Sequence, residues 1–387
     1  MLTTYETLRD MEFSLAMTRW SAIVCDEAQK IKNPNALVTR SAKKQNARFR
    51  IACTGTPVEN TLTDLWCLFD FAQPGLLGAL KDFGSKYRKP IEVEKDQDER
   101  SKAEGRARVE ELRGLIAPQL LRRTKAEVAK DLPRKIEATE CRSLPISDRQ
   151  RAHYADAIGV FRRKPKEGGS GIQNHLGLLQ YLRRLCSDPK PPGSVSTDST
   201  ALGEIVAHSP KMAWMLGKLE EIRGLGEKAI IFCEFRDLQR TLQRAISERL
   251  GLHPDIINGD TSAAASNSAN RQRRIRAFQE RPGFGVIILS PLAVGFGVNI
   301  QAANHVVHFT RTWNPAKEDQ ATDRAYRIGQ TRDVYVYYPV VTANDFLTFD
   351  AKLDLLLEWK RDLSRDMLNG AGDVPPADFG DLGAPGG

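Results

Sequence analysis

Two arginines, Arg324 and Arg327, lie three residues apart, and Gln320 precedes the first of them by one helical turn. Side chains at these spacings share one face of a helix, so we expect both guanidinium groups to point the same way. Each group is planar and permanently charged, and two of them can bind one polyanion such as a phosphate chain. A charged helix face exposed to solvent is the alternative, and these three residues alone leave it open.

The segment 313–330 is predicted to form the helix that carries these side chains. Asn314 is a suitable cap, Pro315 is favoured in a first turn, and Gly329 is favoured at a helix end. Three apolar residues recur at helical spacing and are predicted to pack against the protein: Ala321, Ala325 and Ile328. Strand-like runs on both sides, 305–310 and 334–340, are apolar enough for a buried parallel sheet.

Two neighbouring carboxylates, Asp26 and Glu27, directly follow the apolar run 21–25, which we predict to be a short buried strand. Open parallel sheets bind ligands at the carboxyl ends of their strands. One acid there can hold a hydrated Mg²⁺ while its neighbour orients an attacking water. A charge pair at the start of a helix would look the same in the sequence, so the pair alone does not decide.

Two further loops follow predicted strands, 49–54 and 286–289. The first contains Thr-Gly-Thr-Pro, which could also be a simple capped turn. In the second, glycines would let the backbone approach a phosphate or sugar closely. The candidate nucleotide contacts in these loops are Thr54, Gly55, Thr56, Gly295, Gly297 and Asn299.

Strand and helix patterns alternate along the chain, which predicts an α/β fold with parallel sheets. The length of 387 residues allows two domains, and 41% hydrophobic with 27% charged residues is typical of a soluble globular protein. A net charge of +8 suits a polyanionic partner without proving one. The sequence predicts neither a signal peptide nor a membrane span. No cysteine pair has metal-ligand spacing, and Cys25, Cys53 and Cys233 are predicted to be reduced core thiols.

The motifs Asp26–Gln29 and Thr54–Asn60, together with 290–330, resemble the Swi/Snf family of DNA translocases, within superfamily II of the helicase-like ATPases. The resemblance implies ATP and Mg²⁺ bound between two RecA-like lobes, and ATP-driven movement along double-stranded DNA. It implies that Asp26 holds Mg²⁺ through water and that Glu27 activates the attacking water. It also implies that Arg324 and Arg327 act as arginine fingers, with Gln320 orienting them.

The same resemblance divides the chain. It implies a partial first lobe at 1–186 with a helical insertion at about 78–132, and a linker at 187–203. A second lobe with a carboxyl-terminal helix follows at 204–369, and residues 370–387 are predicted to be a disordered tail. The candidate DNA contacts are Arg122, Arg123, Lys125, Arg271 and Trp313. Leu292 and Val294 replace the basic residue and glycine of most members, which puts a DNA contact at that loop in doubt.

No phosphate-binding loop of the form G-x-x-x-x-G-K-[ST] occurs in the sequence. Only 25 residues precede Asp26, so we expect the chain to be the carboxyl-terminal portion of a longer protein whose first lobe is cut. Two alternatives stay open: a catalytically silent DNA-binding or scaffolding module, and a subunit whose nucleotide site is completed by another chain. A protein–DNA complex is the kind of remodelled substrate that the resemblance leads us to expect. An intracellular location is expected, cytoplasmic in the favoured bacterial source or nuclear in a eukaryotic one.

Overall fold

The computed structural model describes residues 1–55, 58, 61–92, 99–123, 129, 131–162, 175–188, 202–258, 265–291, 299–364, 374–380 and 382. The chain divides into two compact units, residues 1–124 with 359–373 and residues 125–358 with 374–387. Both contain parallel sheets, which confirms the predicted α/β class. The predicted lobe and linker boundaries stay predictions, since these units follow different limits.

The first unit contains two parallel strands, β1 (Trp20–Cys25) and β2 (Ala47–Ala52), with Cys25 opposite Ala52. Helices precede, connect and follow these two strands. In order they are α1 (Tyr5–Asp10), α2 (Glu12–Ala16), α3 (Leu37–Lys43), α4 (Leu62–Ala72), α5 (Leu80–Phe83), α6 (Lys89–Ile91) and α7 (Glu99–Ile116).

The prediction that 21–25 forms a buried strand is wrong for most of its side chains. Val24 on β1 is 60% exposed, and its neighbour Phe49 on β2 is 62% exposed. On one face of the sheet, Cys25 packs in an apolar cluster with Leu68 and Phe71 of α4. Within the described residues, the opposite face has no layer over it, and this leaves its apolar side chains in solvent.

The second unit is built on a six-stranded parallel sheet in the order β3-β9-β8-β5-β7-β6. A separate pair, β4 with β10, is also parallel. The strands are β3 (Lys135–Ala138), β4 (Leu144–Pro145), β5 (Lys228–Phe232), β6 (Asp255–Ile257), β7 (Gly285–Leu289), β8 (His305–His308), β9 (Val334–Tyr337) and β10 (Val341–Thr342).

Helices cover both faces of this sheet, so alternate residues of a central strand enter different cores. On β5, Ile231 packs in one apolar cluster and Ile230 in the other. β5, β7 and β8 are buried throughout, which for β8 confirms the buried strand predicted within 305–310. The helices are α8 (Asp148–Arg162), α9 (His175–Ser187), α10 (Leu202–His208), α11 (Pro210–Leu225), α12 (Arg236–Leu250), α13 (Ala265–Glu280), α14 (Pro315–Thr322) and α15 (Phe349–Ser364).

Part of the tail that was predicted to be disordered is packed on the second unit. Val374 and Phe379 are buried, and the Phe379 ring stacks on Phe349 with 4.9 Å between centroids. The Val374 amide donates to the Trp313 carbonyl at 2.7 Å. The prediction is therefore wrong for residues 374–380, because two apolar side chains anchor a segment whose average composition is polar and flexible.

Two smaller expectations can be checked in the same way. Cys25 and Cys233 are buried as predicted, whereas Cys53 is exposed because β2 ends at Ala52. Among the described helices, none has the length and apolar character that crossing a membrane requires.

Candidate functional site

The carboxyl end of β1 carries the predicted acid pair in an unusual backbone conformation. Glu27 has φ 50° and ψ 48°, the left-handed region, which costs a non-glycine residue about 1 kcal/mol or more. The Asp26 carboxylate accepts the Glu27 amide at 2.9 Å, and the Asp26 carbonyl accepts the Tyr5 hydroxyl at 2.7 Å. Strain of this kind, held by specific hydrogen bonds, is often found at functional sites.

A hydrogen-bonded chain joins this acid pair to the next predicted loop. The Gln29 amide donates to Glu27 Oε2 at 2.6 Å, and the Thr54 hydroxyl donates to Gln29 Oε1 at 2.8 Å. Backbone bonds bring the two strand ends together as well, since Ala28 N donates to Cys53 O at 2.8 Å. The structure therefore brings Glu27 and Thr54 together through Gln29, which fixes the direction of the Glu27 carboxylate.

The sequence did not identify two residues of this edge, Gln29 and Tyr5, as site residues. Gln29 stands in the acid motif, but no position in the sequence marks Thr54 as its partner. Tyr5 lies 21 residues before Asp26, and burial raises the pKa of its hydroxyl far above the ordinary value. The Tyr5 hydroxyl therefore stays a hydrogen-bond donor to the Asp26 backbone across the physiological pH range.

The donor set at this edge is compatible with Mg²⁺ held mainly by substrate and water. Asp26 is exposed at the strand end, and Mg²⁺ typically uses one or two carboxylates together with phosphate oxygens and waters. The described residues contain no group of three or more His, Cys, Asp or Glu side chains that could enclose a metal. A water-mediated contact from Asp26 therefore stays a prediction, and its residue type and exposure fit that role.

The arginine segment begins as predicted and ends earlier. Asn314 caps α14 by accepting the Ala316 amide at 2.9 Å, and Pro315 is the first helical residue. The helix stops at Thr322 instead of continuing to Gly329, which lies in a later turn with φ 97°. Arg324 and Arg327 therefore lie in turns beyond the helix and do not share a helical face.

Side-chain amides explain the early end. Gln330 Nε2 donates to the carbonyls of Gln301, Ala303 and Ala325 at 3.0–3.1 Å, so the chain is held to the preceding loop. Ala321 and Ala325 are buried as predicted, but Ile328 is 75% exposed and does not belong to a packing stripe.

The two arginines differ in their surroundings. Arg324 is only 7% exposed, and its carbonyl accepts the Ile300 amide at 2.8 Å. Arg327 is exposed, and Gln320 is half-buried on α14. Asn299 is exposed and directly precedes Ile300, so the end of the predicted glycine loop lies next to the Arg324 backbone. Gly295, Gly297 and Thr56 lie outside the described residues.

The candidate DNA contacts differ in solvent exposure and packing. Arg122 and Arg123 are exposed in the first unit, and Arg271 is half-buried on α13. Trp313 is partly buried and packs edge-on against Phe349, with 5.6 Å between ring centroids. It contributes to an apolar cluster, and a DNA contact by its ring stays a prediction. Lys125 lies outside the described residues.

Comparison with known proteins gives matches along most of the chain. The SNF2-related domain model matches residues 1–191, and the helicase conserved C-terminal domain model matches residues 214–329. The Zorya protein ZorD of Escherichia coli O139:H28 (strain E24377A / ETEC) is 54% identical over 98% of this chain and 34% of its own length. The putative ATP-dependent helicase/translocase YwqA of Bacillus subtilis (strain 168) is 36% identical over 95% of this chain and 38% of its own length.

The chain thus spans little more than a third of the length of these two relatives. Among solved structures, the Sulfolobus solfataricus SWI2/SNF2 ATPase core in complex with dsDNA is 35% identical, with a TM-score of 0.46. That match covers 95% of this chain and 72% of the archaeal chain. Because both family models match, in order along the chain, the chain belongs to the SNF2 family of helicase-like ATPases.

Proposed function

We propose that this chain supplies catalytic and DNA-binding residues of an ATP-driven translocase that moves on double-stranded DNA. The observation that carries the proposal is the hydrogen-bonded edge of Glu27, Gln29 and Thr54, which holds a carboxylate at the end of a parallel strand. Membership of a family of helicase-like ATPases supports the reaction class.

In this proposal the two carboxylates have separate tasks. Asp26 would hold Mg²⁺ through water, and the bound ion would shield the negative charge of the phosphates. Glu27 orients and polarises the water that attacks the terminal phosphoryl group. The Gln29 amide keeps the Glu27 carboxylate in one direction, so less ordering is needed when the substrate binds.

The arginines supply the complementary charge. As phosphoryl transfer proceeds, negative charge spreads over the transferred group and the leaving oxygen. Arg324 and Arg327 stabilise that charge, and Gln320 helps to orient them. Burial of Arg324 favours a fixed guanidinium, because a side chain held by its neighbours loses little freedom when it meets the phosphate.

DNA binding is proposed to be electrostatic and independent of sequence. The net charge is +8, and Arg122 and Arg123 are exposed. Contacts of this kind follow the phosphate backbone and weaken steeply with salt. Duplex is proposed over single strands because the resemblance to translocases implies it. The bacterial relatives favour a bacterial source. A protein–DNA complex is proposed as the remodelled substrate.

One observation favours a second candidate, in which another chain completes the nucleotide site. Val24 and Phe49 form an exposed apolar face, whereas the faces of parallel sheets are normally covered. A segment that carries a phosphate loop could cover that face, and the 387 residues contain no such loop. The segment could belong to the same polypeptide or to a separate subunit. In the first case the longer polypeptide hydrolyses ATP alone, and in the second a separate protein must be added.

Phosphate release tests both candidates in the longest natural polypeptide that includes this chain. We expect duplex DNA to stimulate turnover, and Glu27→Gln to abolish it while leaving DNA binding intact. Glu104→Gln, which changes an exposed carboxylate on α7, is the matched control and should keep full turnover. The 387-residue chain alone should hydrolyse ATP negligibly, because it has no phosphate loop.

Other results would change the assignment. Turnover by the isolated chain that Glu27→Gln abolishes would show that the missing loop was misjudged. Turnover that appears only when a separate protein is added would establish the second candidate. Binding to one DNA sequence, or binding that salt does not weaken, would exclude translocation along duplex. Absence of turnover under all these conditions would leave a silent DNA-binding module.

A further inference from the structure

A buried ion pair fixes the loop between β8 and α14. Arg311 is 1% exposed and Glu318 is 0% exposed. The guanidinium donates through Nε to Glu318 Oε1 at 2.9 Å and through Nη2 to Glu318 Oε2 at 3.0 Å. Two parallel hydrogen bonds define the relative orientation of the side chains as well as their distance. The loop residue and the helix are therefore held in one geometry.

The same carboxylate also binds the loop backbone. Thr312 N donates to Glu318 Oε1 at 2.9 Å, so Glu318 fixes both the side chain of Arg311 and the chain direction after it. Arg311 further donates to Asp354 on α15 and lies over the Tyr338 ring, 4.2 Å from its centroid. The Arg311 carbonyl accepts from Arg183 on α9 at 2.5 Å. This loop is thereby joined to two helices besides its own.

Glu318 lies six residues before Arg324, and regular backbone hydrogen bonds connect them. Asp323 N donates to Asp319 O at 2.8 Å, and Arg324 N donates to Ala321 O at 3.1 Å. A displacement at Glu318 is therefore passed along α14 to the turn that carries Arg324. At the other end, His308 Nε2 and Thr322 Oγ1 lie 2.8 Å apart in a hydrogen bond, so the helix is held at both ends.

Stability alone does not account for an ion pair in this position. Desolvation of two buried charges offsets much of their attraction, and apolar replacements of buried pairs are often neutral or stabilising. What apolar side chains cannot supply is the orientation given by the bidentate pair and the bond to Thr312 N. A misplacement of about 1 Å in a catalytic group can lower the rate about 10²-fold.

We propose that Glu318, locked by Arg311, is a positioning residue that sets α14 so that Arg324 and Arg327 meet the transferred phosphoryl group. The inference rests on the proposed function of these two arginines. Glu318 itself touches neither ATP nor DNA in this scheme. Its effect should therefore appear in kcat, with little effect on KM for ATP or on duplex affinity.

The test compares variants in the longest natural polypeptide that includes this chain. Glu318→Gln keeps the shape and removes the charge, and Arg311→Met/Glu318→Leu replaces the whole pair by apolar side chains. The matched control is Lys211→Met/Asp350→Asn, which removes another buried pair of the second unit, with 2.6 Å between its charged atoms. For each variant, kcat, KM, duplex Kd and thermal unfolding are measured, with hydrogen exchange of the 315–330 segment.

We expect Glu318→Gln to lower kcat by about 10- to 100-fold, with KM and Kd within about twofold. The Arg311→Met/Glu318→Leu variant should unfold near the wild-type temperature and keep the low kcat, with faster exchange in 315–330. The control should keep kcat and show normal exchange there. If the apolar double variant regains wild-type kcat, or if Glu318→Gln never loses it, the pair is structural and the inference is wrong.

Failure of the inference can be told apart from failure of the proposed function. Arg324→Ala and Arg327→Ala are measured in the same assay. If they leave turnover unchanged, the proposed role of the arginines fails and the inference fails with it. If they abolish turnover while the Glu318 variants retain it, only the inference is refuted. Should Glu318→Gln not fold, the apolar double variant alone decides, through kcat at wild-type stability.

Discussion

Replacing each arginine by alanine should separate catalysis from packing, because the two side chains are buried to different extents. Arg324 is 7% exposed, whereas Arg327 lies in solvent. Both variants remove a guanidinium that is proposed to stabilise charge developing on the phosphoryl group. Only Arg324→Ala also leaves a space inside the protein. The two alanine variants should therefore lose turnover to a similar extent, and Arg324→Ala should lose more stability.

The expected losses of turnover and stability follow from the proposed role of the two arginines and from how deeply each is buried. Arginine fingers contribute about 10³–10⁵ in rate at comparable phosphoryl-transfer sites. We expect each alanine variant to lose at least ~10²-fold in DNA-stimulated turnover, which corresponds to about 2.7 kcal/mol of transition-state stabilisation. Removing the buried Arg324 side chain should lower the free energy of unfolding by about 1–3 kcal/mol. For exposed Arg327 the change should stay within about 0.5 kcal/mol.

Phosphate release with saturating duplex DNA gives the turnover, and thermal unfolding of the 387-residue chain gives the stability. Arg324→Lys and Arg327→Lys should restore little activity, because a point charge does not reproduce a planar fork. Duplex affinity without nucleotide should change far less than turnover. If both alanine variants keep near-normal turnover and lose DNA binding, these side chains contact the DNA backbone and the catalytic assignment is wrong.

Three further outcomes follow from the second unit. Phe379→Ala should lower the free energy of unfolding by about 3 kcal/mol or more, because a buried ring stacked on Phe349 is lost. The measurement is denaturant unfolding, and an unchanged midpoint would refute this expectation. Lys211→Met should cost about 3–5 kcal/mol in the same measurement, because it leaves Asp350 charged and buried, and a loss below 1 kcal/mol would contradict that. Burial lowers the pKa of His305 below its ordinary 6.5, so the unfolded chain binds a proton at this residue more readily than the folded chain does. The stability that neutral His305 contributes is therefore complete above about pH 6.5 and declines as the pH falls. His305→Gln should flatten the dependence of the unfolding temperature between pH 7 and 5, and equal slopes for both proteins would count against this cause.

The sequence predicted the parts of this structure that short-range patterns determine. Apolar runs predicted β7 as a strand and β8 as a buried strand, and both are present in the structure. Asn314 and Pro315 correctly predicted where α14 begins, since capping depends on neighbours within one turn. The sequence showed that Glu27 and Thr54 each follow a predicted strand, and the structure brings them to one edge because those two strands are parallel neighbours.

The end of α14 was not predictable in this way, because residues distant in sequence determine it. Helical spacing from Ala321 to Ile328 suggested one continuous stripe, and the local signals contained nothing against it. The structure ends the helix where Gln330 binds the carbonyls of Gln301 and Ala303, which belong to the preceding loop. Likewise, Val24 has the apolar character of a core residue, and its exposure depends on which layers cover the sheet.

Buried charge was the hardest feature to foresee, and it bears most directly on the proposed mechanism. Arg311 and Glu318 stand in a strongly charged sequence, where such residues are usually solvated, and the six positions between them cross from a loop into a helix. Only the fold shows that both are fully buried and joined by two hydrogen bonds. If the Glu318 variants behave as expected, the arginines that the sequence singled out act only because a pair that it did not single out holds the preceding helix, α14, in place. The catalytic geometry of the second unit would then depend on residues that touch no substrate, and turnover, more than stability or DNA affinity, would reveal them.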